Sequence, residues 1–76
     1  MKIEILGSGC KRCIQLGENA QAALAAAGKS AELLKVTNPA QIALRGVMST
    51  PGLAIDGKLV STGRVLTPEE IGKLLP

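Results

Sequence analysis

At 76 residues the chain can fill only one hydrophobic core, so a single domain spanning residues 1 to 76 is expected. Hydrophobic residues make up 46% of it, yet Phe, Tyr and Trp are absent; the core must be built from Ile, Leu, Val, Ala and Met, and the aromatic platforms on which single-stranded nucleic acids stack are missing. Nine Lys and Arg against six Asp and Glu give a formal charge of +3 without a basic run or basic helix face, which argues against nucleic acid as a partner.

Met1 leads directly into Lys2-Ile3-Glu4-Ile5-Leu6, whose alternating polarity and β-branched Ile residues predict a half-buried first strand. No charged leader or apolar export segment is visible, and the longest mostly apolar stretch, residues 20 to 27, is interrupted by Gln21 and far shorter than the roughly 20 residues a bilayer requires. A cytoplasmic protein without a membrane partner is the expectation. Gly7-Ser8-Gly9 then breaks the strand, and from about Lys11 a helix rich in Ala and Leu begins. Its inward face is predicted as Cys13, Leu16, Gly17, Ala20, Leu24 and Ala27, with Gly28 as the left-handed cap.

Residues 31 to 36 predict a second strand, and Glu32 and Lys35 in it suit a sheet edge. Asn38-Pro39-Ala40-Gln41 combines an N-cap residue, Pro at the first helical position and Gln at the third, predicting a short helix to about Arg45 that Gly46 ends. Residues 53 to 55 and 58 to 61 read as two strands joined by Asp56-Gly57, a two-residue turn that favours positive φ at both positions. Thr67-Pro68-Glu69-Glu70 forms a capping box ahead of an apolar stripe of Ile71, Leu74 and Leu75. The element order is therefore β-α-β-α-β-β-α.

Chemistry concentrates in Cys10-Lys11-Arg12-Cys13. Two cysteines are too few for a secreted disulfide framework, and in a reducing compartment a close pair reads as redox-active or metal-binding. The thiolate is the attacking species, and Cys10 at a helix N-terminus beside two cations should ionise more readily than Cys13. The spacing also lets Cys13 resolve a mixed disulfide formed on Cys10. A thiol-disulfide oxidoreductase follows. The competing reading is a soft-metal carrier for Cu(I) or Zn, although the chain has no His and no third Cys to complete a zinc site. Pro51 is the second notable position, because it cannot donate a strand hydrogen bond and X-Pro bonds are the ones that adopt cis.

Gly7-Ser8-Gly9-Cys10-Lys11-Arg12-Cys13 after the first strand, and Ser49-Thr50-Pro51-Gly52-Leu53-Ala54-Ile55-Asp56-Gly57-Lys58 before the last, together resemble the small prokaryotic thioredoxin-like redox-active disulfide proteins. The resemblance spans nearly the whole chain and implies an α/β minimal thioredoxin fold, with a four-stranded mixed sheet flanked by helices. It implies a cis Pro51 packed beside Cys10 and Cys13, and a Thr50 backbone offered to an extended partner segment, with Lys11 and Arg12 also facing that partner. The implied partners are a disulfide-containing protein and an electron-donor reductase, without a cofactor, and the acting species is expected to be a monomer. Glu4, six positions before Cys10, matches a buried acid that relays protons in thioredoxins proper; a solvated strand residue or a charge partner for a lysine is the alternative. Lys-Arg stands where thioredoxin has Gly-Pro, no Trp precedes the motif, and the Tyr of the common glutaredoxin motif is absent.

Overall fold

The computed structural model describes all residues, 1–76. Seven elements follow one another: β1 (Lys2–Leu6), α1 (Lys11–Ala27), β2 (Glu32–Val36), α2 (Pro39–Leu44), β3 (Gly52–Ile55), β4 (Lys58–Thr62) and α3 (Pro68–Leu74). The strands form one sheet in the order β2-β1-β3-β4. β1 and β2 pair in parallel, with Ile5 opposite Lys35, whereas β1 with β3 and β3 with β4 are antiparallel. β2 lies at an edge, as its charged residues suggest, and the central strands β1 and β3 carry the apolar run.

Local chemistry sets the boundaries. Gly28 takes φ 65° and ends α1, its amide reaching the carbonyls of Leu24 and Ala25. Asp56 and Gly57, at φ 51° and 83°, make the hairpin turn, which the twist of the flanking strands favours. The Thr67 hydroxyl accepts from the Glu70 amide while the Glu70 carboxylate accepts from the Thr67 amide, closing the capping box of α3. The cap of α2 is simpler than its sequence suggests: Asn38 Oδ1 accepts from the amides of Ala40 and Gln41, and Gln41 returns no side-chain bond.

Strand alternation divides the core into two. Ile3, Ile5, Leu53 and Ile55 face α1 and α3, packing on Leu16, Ala20, Ala23, Leu24, Leu66 and Ile71. Leu6 and Ala54 face α2 and pack on Ile42 and Val47. Leu59 and Val60 alternate between the two clusters in the same way, and a register shift opposite Leu53 and Ala54 leaves Val60 as an extra residue between Leu59, which faces Ala54, and Ser61, which faces Leu53. The inward stripe of α1 differs from the expected one at its C-terminal end: Ala23 is buried, and Ala27, in the last turn before the Gly28 cap, is exposed. No helix of the chain is long and apolar enough to cross a membrane.

Candidate active site

The loop from β1 to α1 carries the two cysteines to the end of the sheet where β1 and β2 finish and β3 begins. Gly9, at φ 86°, makes the turn that brings Cys10 to the N-cap position of α1. There the Cys10 sulfur takes the place usually held by a capping oxygen and accepts the Cys13 amide at 3.4 Å. Cys13 lies one turn on, on the inward face, and is 5% exposed, whereas Cys10 is exposed to solvent. Both thiols are free, and their sulfurs are 2.8 Å apart.

This arrangement holds the Cys10 thiol below the usual cysteine range. The largest cause is the hydrogen bond with the Cys13 side chain; the Cys13 amide is next, and the amides of Arg12 and Cys10 assist against a modest burial penalty. The Lys11 and Arg12 charges expected to do this are not among the causes. The Arg12 guanidinium donates to the Gly63 carbonyl at 2.7 Å, tying the first turn of α1 to the residue that follows β4.

Pro51 completes the site. The Thr50–Pro51 peptide is cis, and Pro51 is fully buried. Its carbonyl accepts the Gly63 amide at 2.9 Å, so Arg12, Gly63 and Pro51 form a continuous hydrogen-bonded path from helix to loop. Thr50 is exposed and takes no hydrogen bond from the rest of the chain, and Met48 beside it is 95% exposed.

One residue of the site escaped sequence reasoning. Gly7 is valued in the sequence as a strand breaker, but its backbone is not left-handed. A Cβ there would collide with Cys13 Sγ and stand 3.7 Å from Pro51 Cα. Gly7 is therefore the notch that seats the inner sulfur against the proline loop. Only the spacing of Gly7 ahead of the cysteines could have hinted at it. A small cleft of about 30 Å³ opens beside the notch, lined by Ile5, Gly7, Gly9, Cys13, Ile14, Lys35 and Thr37.

Glu4 stands apart from this group. It is 7% exposed, not solvated, and its carboxylate accepts from both terminal nitrogens of Arg45 at 2.8 and 3.0 Å; the partner is an arginine where a lysine was considered. The Arg45 hydrogen bond holds its carboxyl below the usual range against the cost of burial. Its place in β1 sets it on the α2 face with Leu6, opposite Ala54, while Ile5 and Cys13 line the cleft on the α1 face. The sheet thus separates Glu4 from the dithiol that a relay would serve.

Nowhere does the chain gather three or more His, Cys, Asp or Glu side chains as a metal's donor set. Comparison with known proteins points to redox chemistry. The family model described as the thioredoxin domain matches residues 1–76. The chain is 45% identical over 75 residues to a thioredoxin of Methanothermobacter thermautotrophicus, covering 99% of this chain and 97% of that protein. It is 42% identical over 69 residues to a thioredoxin of Methanocaldococcus jannaschii, covering 91% of this chain and 79% of that one.

Proposed function

From the premise that the chain belongs to the thioredoxin-domain family and is a thiol-disulfide oxidoreductase, we propose that Cys10 is its nucleophile, Cys13 its resolving thiol and Pro51 the residue that shapes the partner groove. The observation that carries this assignment is the asymmetry of the pair: an exposed Cys10 sulfur receiving the Cys13 amide, with a buried Cys13 sulfur at 2.8 Å behind it.

The Cys10 thiolate attacks one sulfur of a partner disulfide, forming a mixed disulfide, and the partner's other sulfur leaves as a thiolate. Cys13 then loses its proton and attacks Cys10 Sγ. The Cys10–Cys13 bond forms, the mixed disulfide breaks, and the partner departs with both sulfurs reduced. Two electrons and two protons from a reductase restore the dithiol. The partner segment pairs with the free backbone of Thr50 as an added strand, a mode that gives affinity through main-chain bonds with little demand on sequence. Lys11 and Arg12 border the same groove. Glu4 takes no part in proton transfer and serves as a structural ion pair.

The whole chain acts as one domain and as a monomer, on protein disulfides in a reducing compartment such as the cytoplasm. The metal-carrier reading is not favoured, since two cysteines without a further donor leave zinc short of its four ligands. Cys13→Ser should accumulate a partner-linked mixed disulfide that dithiothreitol releases, and Cys10→Ser should accumulate none. Trapping on the Cys10→Ser variant instead would reverse the two roles. Stoichiometric copper or zinc retained by anaerobically purified protein in native mass spectrometry would restore the carrier.

A further inference from the structure

Charge is distributed unevenly over this molecule. Two ion pairs exist, Glu4 with Arg45 and Glu70 with Arg64. Of the other acids, Glu32 opens β2 and Asp56 lies in the hairpin turn, both at the end of the sheet away from the cysteines. Glu18 lies about two turns along α1 from Lys11. Glu69 opens α3, whose lead-in residue Leu66 is tied to Asn19 at that same level of α1. The first turn of α1 has no acidic residue.

The dithiol end therefore holds Lys11, Arg12 and Lys35 with no ion pair among them. The six remaining cations equal the six acids, so the chain's whole formal excess of +3 sits beside the two sulfurs. The helix N-terminus adds partial positive charge at the same place. Arg12 is also held in position. The Gly63 carbonyl takes one of its five N–H donors, and Gly63 in turn donates to Pro51 beside the Thr50 edge where a partner strand would lie. The guanidinium is exposed, and its remaining donors suit a carboxylate.

We propose that the dithiol end selects disulfides flanked by carboxylates, with Arg12, anchored on Gly63, receiving a carboxylate of the partner and with Lys11 and Lys35 reinforcing the field. The proposal rests on the thiol-disulfide reading above and names the chemistry of its substrate: a protein disulfide bordered by Asp or Glu. Selection acts at encounter and in the mixed-disulfide complex, where unlike charges approach closely before water is excluded.

The test compares small disulfides of different charge against the reduced protein. The probes are the dianionic 5,5′-dithiobis(2-nitrobenzoate), the neutral 4,4′-dithiodipyridine, and the pair glutathione disulfide and dicationic cystamine. In each reaction Cys10 and then Cys13 displace the two halves of the probe, so one probe disulfide is reduced to two thiols as the protein gains one disulfide. The readout is the ratio of rates between probes, because a change in thiolate reactivity is common to all and cancels. Glutathione disulfide should react about tenfold faster than cystamine at low ionic strength, after correction for their reactivity with a small dithiol. That ratio should fall severalfold in 1 M salt, where the screening length shrinks to about 3 Å. Arg12→Gln should lower it more than Lys11→Gln or Lys35→Gln does.

A corrected ratio near one in the wild type, unaffected by salt, overturns the proposal. A ratio that Arg12→Gln leaves unchanged overturns the role of Arg12. Wild-type protein that fails to reduce even the neutral probe would instead sink the oxidoreductase reading, so the two failures are distinguishable.

Discussion

Gly7, just past the end of β1, and Glu4, within it, stand in opposite relations to the sulfurs. The missing Cβ of Gly7 is room for Cys13 Sγ, so Gly7→Ala must displace the sulfur or the Pro51 loop. Overpacking of that kind costs about 1–3 kcal/mol, which urea denaturation followed by far-ultraviolet circular dichroism will measure. Alkylation of Cys10 should keep a midpoint below that of an ordinary thiol, and Cys13→Ala should raise it, because the Cys13 side chain is the largest cause of the lowering. Glu4 bears on stability instead. Its folded carboxyl ionises below its unfolded value near 4.5, so the stabilisation is complete above that value and is lost as pH falls through the folded one. Glu4→Gln should remove that acid-limb dependence. Its cost at neutral pH should be about 1–2 kcal/mol, less than for a fully buried pair, since Arg45 is 29% exposed and can rehydrate.

Elements were readable in this sequence wherever a boundary is made by one residue's own backbone or side chain. Gly28, Asn38, Asp56-Gly57 and Thr67 each act locally, and the structure places each where its chemistry belongs. Thr67→Ala should cost about 1 kcal/mol through loss of the α3 cap, and Gly57→Ala a similar amount from a left-handed residue in the hairpin, both measurable as shifts of the urea midpoint. The extra residue in β4 and the shorter inward stripe of α1 were not readable, because both depend on how elements meet and not on what they contain. The same holds for the site. The cysteine spacing and the Thr-Pro pair could be seen in the chain, whereas the seating of Gly7 against Cys13 and Pro51 and the Arg12-Gly63-Pro51 path arise only when the first loop meets segments far along the chain.

As a whole the molecule builds its core without a single aromatic ring, from aliphatic side chains on the two faces of one sheet. Leu16 is fully buried between α1 and the sheet, and its replacement by Ala should cost about 2–5 kcal/mol. A domain of this size holds about 0.05–0.15 kcal/mol per residue in reserve, so such a variant should melt near or below physiological temperature in a thermal scan. Intrinsic fluorescence will report none of this, as there is no Trp or Tyr to emit.

The sheet is also a partition. Sulfur chemistry occupies one side and the Glu4–Arg45 couple the other, with a layer of backbone between them. Replacing that couple jointly by two aliphatic residues should shift the melting point while leaving electron transfer kinetics intact. Stability towards heat or acid should therefore be adjustable from the α2 side at no cost to the rate at which Cys10 is alkylated.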